Sequence, residues 1–343
     1  MSAKQTIIPV FVPHLGCRKD CVFCNQRRIS GAQRPVTAGE VAAAIVQGAA
    51  QTPAGARRQL AFYGGSFTAI PPQAQEELLQ AAQPFLRDGT LHSIRMSTRP
   101  DAIDGEILRR LACYGVETIE LGAQSMDDRV LELSGRGHTA QAVADASRMV
   151  KAHGFRLILQ MMTGLPGDED GQASISTARR IIELRPDGVR IYPTVIVADT
   201  PLYDLWRAGA YKEHTVEAAV DLCARLVPLF ERTGIPIIRL GLNPTEELSA
   251  GAAAAGAYHP ALGELVRSRI FLNAARVQLQ GIPPGSTVIL EVPKGRQSQM
   301  TGQHRENLRA LEREFALSSA RVRENPAQTE ENPVICIAKQ QEM

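Results

Sequence analysis

The 343-residue sequence lacks any apolar run long enough to cross a membrane. A transmembrane helix needs about 20 consecutive apolar residues, and runs such as residues 158–162 and 252–255 are far shorter. Residues 6–15 are largely apolar, but Pro9 and Pro13 interrupt them and no small-residue cleavage site follows. These observations predict a cytoplasmic protein that does not contact membranes.

A strong net charge is also absent, because 38 Lys and Arg nearly balance 36 Asp and Glu. A net charge of +2 creates no global field that would attract nucleic acid or anionic lipid. Any binding of a polyanion must therefore depend on a local patch.

Such a patch is predicted between residues 264 and 323, where ten Lys and Arg accompany five Glu and no Asp. Lys294, Arg296, Arg305 and Arg309 flank a predicted strand-to-helix junction in this segment. The pattern indicates a docking face for tRNA or another structured RNA. The alternative is a solvated surface whose arginines pair with glutamates along one helix.

Cysteine is scarce outside one short segment. Three of the six cysteines fall within eight residues, and the others stand alone at positions 113, 223 and 336. A secreted disulfide framework rarely shows this distribution. Cys113 and Cys223 lie inside apolar helical patterns and Cys336 lies in a strand-like run, so we expect three buried, inert thiols.

The first 240 residues or so alternate β-branched runs with amphipathic helical stretches, which indicates βα units around a parallel sheet. The predicted strands are residues 6–12, 59–63, 93–97, 118–121, 156–162, 189–193 and 236–240. These units are fewer than the eight of a closed TIM barrel. The sequence therefore predicts an α/β fold, a partial (βα)6-type TIM barrel with ligands at the carboxyl ends of its strands.

Three segments are expected along the chain: the barrel at residues 1–244, a linker at 245–263, and a small α/β C-terminal domain at 264–343. The Ala- and Gly-rich composition around residue 250 marks the linker. The C-terminal domain is predicted to contain a strand at 287–292, a helix at 303–315 and a strand at 334–338.

Helix starts are readable at several positions. Thr37 and Glu40 have the spacing of a capping box, and Pro71-Pro72 opens the next helix. Asp104 or Gly105 begins a third. Residues 215–233 carry the clearest helical periodicity.

Cys17, Cys21 and Cys24 lie directly after the first predicted strand. Thiolates are soft ligands that suit iron–sulfur clusters, zinc or copper. A four-iron cluster usually takes one cysteine per iron, so three thiolates leave one iron open to an external chelator, such as the amino and carboxylate groups of a methionine moiety. From spacing alone, a zinc site closed by a fourth ligand such as His14 is the alternative.

The cysteine spacing, with Phe23 before the third cysteine, resembles the signature of the radical S-adenosylmethionine (SAM) superfamily. Over about residues 6–242 the chain also resembles the radical SAM part of the Elongator catalytic subunit and oxygen-independent coproporphyrinogen III oxidase. The matching stretches are Phe62-Tyr-Gly-Gly-Ser-Phe67, Arg99-Pro-Asp101, Ile119-Glu-Leu-Gly-Ala-Gln-Ser125, Gly135-Arg-Gly-His-Thr139, Met161-Met-Thr-Gly-Leu-Pro-Gly167, Arg185-Pro-Asp-Gly-Val-Arg-Ile-Tyr-Pro-Thr194 and Thr200-Pro-Leu-Tyr-Asp-Leu-Trp206.

This resemblance implies an enzyme whose three cysteines hold a 4Fe-4S cluster that splits SAM into methionine and a 5′-deoxyadenosyl radical. It also implies a reductant such as flavodoxin or ferredoxin, and it makes RNA the first substrate to consider. The implied SAM contacts are the Phe23 backbone, the turn Gly64-Gly65-Ser66, Ser97, Gln124, Arg136 and Gln160.

Two departures from the family pattern matter. Relatives carry a glutamate where this chain has Ser97, which can hydrogen-bond a ribose but brings no charge. The Elongator subunit adds an acetyltransferase domain, whereas the segment after residue 263 shows no glycine-rich pyrophosphate loop entering a helix. An acetyl-CoA-dependent reaction is therefore not implied.

Two other functions stay open at this point: a haem- or porphyrin-binding carrier on the same scaffold, and a zinc-stabilised interaction protein. Tyr192 and Tyr203 are candidates for substrate contact. His14 and His138 are expected to be structural, as lone loop histidines usually are.

Overall fold

The computed structural model describes residues 5–12, 21–25, 34–53, 55–242, 253–328 and 334–339. Within these ranges no helix combines the length and the apolar character that crossing a bilayer requires. The chain divides into two compact units, Met1–Ala219 with Leu226–Pro260, and Val220–Arg225 with Ala261–Met343. The linker predicted at 245–263 lies partly outside the described residues.

The first unit is built on a sheet of seven parallel strands. The described strands of this unit, in chain order and including the separate pair β7 and β9, are β1 (Gln5–Val12), β2 (Arg57–Gly64), β3 (Ser93–Thr98), β4 (Val116–Gln124), β5 (Arg156–Thr163), β6 (Gly188–Pro193), β7 (Val195–Val197), β8 (Ile237–Leu240) and β9 (Ala253–Gly256). The sheet order is β1-β2-β3-β4-β5-β6-β8. All seven strands predicted for the barrel are confirmed, while the antiparallel pair β7–β9 was not predicted.

Helices alternate with these strands, as the predicted βα pattern requires. They are α1 (Ala38–Ala50), α2 (Pro72–Arg87), α3 (Gly105–Cys113), α4 (Asp128–Leu133), α5 (Ala140–Ala152), α6 (Gln172–Glu183), α7 (Pro201–Arg207) and α8 (Val216–Arg232). The capping box of α1 is confirmed, since Thr37 Oγ1 accepts from the Glu40 N–H at 3.3 Å and Glu40 Oε2 accepts from the Thr37 N–H at 2.9 Å. Two backbone donors that the helix leaves unpaired are thereby satisfied.

Successive residues of a strand point to opposite sides of the sheet. The two faces therefore carry different residues, and here they differ in polarity. On one face, residues such as Leu60, Met96, Ile119, Leu121 and Leu159 are fully buried. The other face is the inner face of the sheet, and it presents polar side chains: Tyr63, Arg95, Ser97, Glu120, Gln160, Arg190 and Tyr192.

A buried ionic network on the inner face requires the sheet to be curled. Glu120 on β4 is 2% exposed and lies 3.1 Å from Arg95 Nη1 on β3 and 2.7 Å from Arg190 Nε on β6. Arg190 Nη2 also donates to the Tyr63 hydroxyl on β2 at 2.9 Å. Strands β2 and β6 stand four steps apart, which is about 19 Å in a flat sheet. Only a half-barrel brings these side chains together, so the partial-barrel prediction is confirmed.

Burial would lower the pKa of the Arg190 guanidinium, but the Glu120 carboxylate outweighs burial and raises it. Burial, with a further contribution from Glu120, raises the pKa of Tyr63 to about 12. The phenol therefore stays protonated at neutral pH and donates to Glu120 at 2.9 Å. Arg95 and Arg190 thus share the Glu120 carboxylate on the inner face of the sheet.

The second unit contains a three-stranded mixed sheet. Its elements are α9 (Leu262–Gln278), β10 (Thr287–Val292), α10 (Gln297–Thr301), α11 (Glu306–Glu314), β11 (Ser319–Glu324) and β12 (Ile335–Lys339). The central strand β10 pairs parallel with β11 and antiparallel with β12. Its core includes Phe271, Leu290 and Leu311. The strands predicted at 287–292 and 334–338 and the helix predicted at 303–315 are confirmed, while α9, α10 and β11 were not predicted.

The predicted burial of the isolated cysteines is confirmed for Cys223 and wrong for Cys113, which is exposed. In α3 the buried apolar residues are Leu108 and Leu111. Cys113 follows Leu111 by two residues, more than half a helical turn, so it points away from the sheet. Cys336 is partly buried, and burial raises its thiol pKa.

The ionic network makes a prediction for stability. Glu120→Ala leaves two guanidinium groups without their shared carboxylate, and breaking a buried ion pair from one side costs about 3–5 kcal/mol. We expect a loss of that size in the free energy of unfolding, measured by urea denaturation. The exposed Glu183→Ala is the control, with a change within about 0.5 kcal/mol. Equal stability of the two variants would contradict the structural role of Glu120.

Candidate functional site

The loop after β1 places two thiols on one tight turn. The Cys24 N–H donates to the Cys21 carbonyl at 3.1 Å, and the Val22 N–H donates to the Ser134 carbonyl at 3.1 Å. Cys21 is buried and Cys24 is partly buried. Arg136 bonds both Cys21 Sγ and the Gly122 carbonyl, so the turn lies near the carboxyl end of β4, at the edge where the sequence predicts ligands.

Cys17 and His14 lie outside the described residues. In the part of the chain that is described, no group of three His, Cys, Asp or Glu side chains gathers as a metal site would need. The three-cysteine site therefore stays a prediction, of which Cys21 and Cys24 are the described members.

An apolar cluster fixes the cysteine loop against α7. Phe23 and Val22 pack with Leu202, Trp206 and neighbouring residues, and the Leu202 N–H donates to the Val22 carbonyl at 2.8 Å. Tyr203, a predicted substrate contact, instead packs on Trp206 with ring centroids 5.9 Å apart. The Phe23 ring thus has a packing role, and the adenine contact through its backbone stays a prediction.

Arg136, a predicted SAM contact, lies beside the cysteine loop and is 6% exposed. Its Nη1 donates to Cys21 Sγ at 3.2 Å and its Nη2 donates to the Gly122 carbonyl at 2.6 Å. Its Nε donates to His138 Nε2 at 3.3 Å. A buried cation therefore stands next to a predicted metal ligand.

His138 serves Arg136 as a neutral acceptor. Burial first, and then the charge of Arg136, lowers the pKa of His138 to about 4. At neutral pH the imidazole therefore carries one proton. That proton belongs on Nδ1, which lies 3.3 Å from the Thr139 carbonyl, because Nε2 accepts from Arg136. This agrees with the structural role predicted for His138.

The end of β4 brings two predicted glutamines together. The strand register shifts between Gly122 and Gln124, and Gln124 has a left-handed φ of 64°. Gln124 Oε1 accepts from Gln160 Nε2 at 3.5 Å. A Cβ at Gly122 would lie 3.2 Å from Gln124 Nε2 and 3.5 Å from Arg136 Nη2. The absence of a side chain at Gly122 therefore lets two predicted SAM contacts, Gln124 and Arg136, pack closely against the end of β4.

The turn Gly64-Gly65-Ser66 at the end of β2 is tied to the same region. Gly64 has a φ of 104°, which favours glycine. Ser66 Oγ lies 2.8 Å from Thr98 Oγ1 and accepts from the Arg99 N–H at 3.1 Å. Arg99 in turn donates to the Arg136 carbonyl. The Ser66 side chain thus joins two strand ends. A Cβ at Gly64 would lie 3.5 Å from the backbone of Val12 on β1, and the SAM contact of this turn stays a prediction.

Ser97 lies on the inner face in register with Glu120. This is the position where relatives carry a glutamate. Here the carboxylate of Glu120 lies on the adjacent strand, but it already binds Arg95 and Arg190. Tyr192, the other predicted substrate contact, also lies on the inner face, and burial raises its pKa. Its hydroxyl is 3.4 Å from Arg190 Nη1.

The ionic network of Tyr63, Arg95, Glu120 and Arg190 was not predicted from the sequence. A signal was available, since Arg95, Glu120 and Arg190 each stand inside a predicted strand of a sheet that helices cover. Charges at such positions are almost never fully buried unless they are paired. Three such charges of both signs on three strands of one sheet indicate a shared inner surface.

Two segments of the chain match known families: residues 11–175 match the radical SAM superfamily and residues 186–271 match the radical SAM C-terminal domain. Elongator complex protein 3 from Danio rerio is 31% identical over 186 residues, which cover 48% of this chain and 34% of that protein. The Schizosaccharomyces pombe protein of the same name is 35% identical over 139 residues, or 40% of this chain and 25% of the relative. The chain thus spans about a third or less of the length of these relatives.

The fold is similar to that of solved structures. The archaeal Elp3 of Methanocaldococcus infernus, solved with an N-terminal deletion, has a TM-score of 0.63 at 19% identity and covers 86% of this chain and 72% of its own. Since the identity is low, this similarity concerns the fold alone.

A second neutral histidine lies at the end of β5. His214 Nε2 is 3.1 Å from Thr163 Oγ1, and burial lowers the pKa of His214 to about 4. Gly164 makes room for the ring, because a Cβ at this glycine would lie 2.1 Å from His214 Cγ.

His138 and His214 predict a steep loss of stability on acidification. The unfolded chain binds a proton at each histidine below pH about 6.5, while the folded protein does not until about pH 4. Between these values we expect the free energy of unfolding to fall by about 1.4 kcal/mol per pH unit per histidine. Urea denaturation of metal-free protein at pH 6 and pH 5 measures the slope.

In this experiment the double variant His138→Gln with His214→Gln should show a smaller change of unfolding free energy with pH. His304 is exposed, so His304→Gln should keep the wild-type slope. A double variant with the wild-type slope would show that neither buried histidine controls the acid response.

Proposed function

The chain belongs to the radical SAM superfamily, and from this membership we propose that it is an enzyme that holds a 4Fe-4S cluster and cleaves SAM to modify RNA. Cys17, Cys21 and Cys24 would bind the cluster. The observation that carries the proposal is the pair Cys21 and Cys24 on one turn, with the buried Arg136 donating to Cys21 Sγ at 3.2 Å.

The donor set fits such a cluster. Iron–sulfur clusters take cysteine thiolates as ligands, and hydrogen bonds to the ligand sulfurs belong to such sites. Arg136 donates such a hydrogen bond to Cys21, and Gly122 and His138 hold its guanidinium in place. The apolar packing of Phe23 against α7 fixes the position of the loop that carries Cys21 and Cys24.

The strand ends fit a SAM molecule. The amide of Gln124 and the guanidinium of Arg136 lie together at the end of β4, where both approach Gly122, and Gln160 adds a second amide beside Gln124. A guanidinium suits the SAM carboxylate, amides suit its ribose, and the backbone of Gly64 and Gly65 suits its amino group. The structure of SuiB from Streptococcus suis with bound SAM supports this scaffold as a SAM site, with a TM-score of 0.50 at 14% identity, covering 71% of this chain and 51% of SuiB.

When bound, the cluster and SAM would supply a 5′-deoxyadenosyl radical that abstracts a hydrogen atom from the substrate. The protein's own residues bind and orient the cofactor and the substrate, and they exclude water from the site. Arg136, Gln124 and Gln160 would orient SAM at the end of β4. The curled sheet would enclose the reacting region.

The inner face favours an anionic substrate. Arg95, Arg190 and Arg239 share this face, and only Arg95 and Arg190 have Glu120 to balance them. Positive charge inside a concave surface attracts phosphate-bearing molecules. Together with the likeness to Elongator complex protein 3, this is the basis for choosing RNA.

Basic residues of the second unit provide a candidate RNA-docking face. Lys294, Arg305, Arg309 and Arg313 are exposed. Arg276, in contrast, pairs with Glu314 at 2.7 Å, and Arg296 is partly buried. The exposed cations therefore carry the local excess of positive charge. A flavodoxin or ferredoxin is the class of reductant that we propose for the cluster.

Metal content tests the cluster. We expect about four irons and four sulfides per chain after anaerobic reconstitution, with a brown chromophore. Ala substitution at Cys17, Cys21 or Cys24 should remove the chromophore because each change deletes a ligand, whereas Cys113→Ala should keep it. Stoichiometric zinc without iron under the same handling would overturn the proposal and favour the zinc-stabilised interaction protein.

A titration with total tRNA tests the docking face. Each phosphate contact releases counterions, so affinity should fall as salt rises, and removing two contacts should lower the slope of log K against log salt by about 2. We expect this flattening for Lys294→Glu with Arg309→Glu. Lys212→Glu reverses an exposed charge of the first unit and serves as the control. Wild-type slopes in all proteins would exclude this face.

A further inference from the structure

Three hydrogen bonds hold the guanidinium of Arg136 beside Cys21. Each of its three nitrogens has a different acceptor: Cys21 Sγ at 3.2 Å, the Gly122 carbonyl at 2.6 Å and His138 Nε2 at 3.3 Å. Its own carbonyl accepts from Arg99, and Arg99 is fixed by two bonds of 2.9 Å to the Asp101 carboxylate. The orientation is therefore determined from both ends of the residue.

A cation that donates to a cysteine sulfur changes the chemistry of whatever that sulfur binds. Hydrogen bonds to ligand sulfurs and the local charge are among the factors that set the potential of an iron–sulfur cluster. Reduction adds one electron and so one negative charge. A buried cation at the sulfur stabilises this more negative state and raises the reduction potential.

We propose that Arg136 sets the reduction potential of the cluster through its hydrogen bond to Cys21, and that His138 is the positioning residue that holds it there. This inference rests on the proposed function, since it assumes that Cys21 binds the cluster. It gives Arg136 a role before SAM binds, in addition to the carboxylate contact. The electron comes from the external reductant, and no covalent bond of the protein forms or breaks.

The role of His138 depends on its acceptor nitrogen. Its Nε2 can accept from Arg136 because its Nδ1 proton is directed to the Thr139 carbonyl. Glutamine offers an acceptor oxygen at a similar reach, whereas leucine fills the space without one. His138→Gln and His138→Leu therefore separate the hydrogen bond from the packing.

The experiment is a redox titration of the reconstituted cluster without SAM, with dithionite as reductant, followed by electron paramagnetic resonance. We expect Arg136→Gln to lower the potential, shifting the reduction equilibrium about tenfold, or about 59 mV for one electron. Arg136→Lys keeps the positive charge but lacks the planar guanidinium with its three donor nitrogens, so a smaller shift of the potential is expected. His138→Leu should also lower the potential, and His138→Gln should restore it.

Two controls accompany the titration. Arg110→Gln removes a half-buried arginine that bonds Gln75 on the helical side of the sheet, and it should leave the potential unchanged. Trp206 is the chain's single tryptophan and packs in the same cluster as Phe23. An unchanged fluorescence spectrum in each variant shows that the cysteine loop is still seated.

The outcomes separate this inference from the proposed function. Wild-type protein that forms no cluster would contradict the function itself. A cluster whose potential is the same in wild type, Arg136→Gln and His138→Leu would overturn the inference alone, even if SAM binding weakened. A shift with His138→Leu that His138→Gln does not restore would refute the positioning role of His138.

Discussion

The shape of the first unit depends on one buried carboxylate. Glu120 binds guanidinium groups from β3 and β6 and the phenol of β2, which a flat sheet would hold far apart. Burying two cations and an anion is costly, and the cost is offset only when all the partners meet in good geometry. The network therefore favours a curled sheet over a flat one. A curled sheet gives the strand ends a concave edge on which ligand-binding residues can converge.

The candidate site follows from that convergence. Because all seven strands of the sheet run parallel, their carboxyl ends meet at one edge. The loop after β1 brings Cys21 to this edge, the end of β4 brings Gly122 and Gln124, and the segment after α4 brings Arg136 back onto Cys21. The left-handed Gln124 at a register shift costs backbone energy. Such strain is typical of positions where the backbone holds a side chain in the orientation that a functional site requires.

Much of this arrangement was predictable from local sequence. Short β-branched runs located the strands of the parallel sheet, and Thr37 with Glu40 located a helix start, because these signals depend on near neighbours. The ionic network was missed because its members become partners only when distant strands curl. The strand β11, Ser-Ala-Arg-Val-Arg-Glu, was missed because it lies at the edge of its sheet and its exposed residues are charged. Cys113 was misplaced because its helical face, rather than its apolar neighbours, decides its exposure.

Gly164 shows how a glycine in a recognised motif can have an unexpected origin. It belongs to Met-Met-Thr-Gly-Leu-Pro-Gly, where a glycine invites the interpretation that a ligand approaches the backbone. Here its place is taken up by the ring of His214, fifty residues further along the chain. Gly164 also has a left-handed φ of 69°, which disfavours any residue with a side chain. The glycine is therefore required twice, once by its own backbone and once by the ring that packs on it. A smaller residue at position 214 would remove only the second of these requirements.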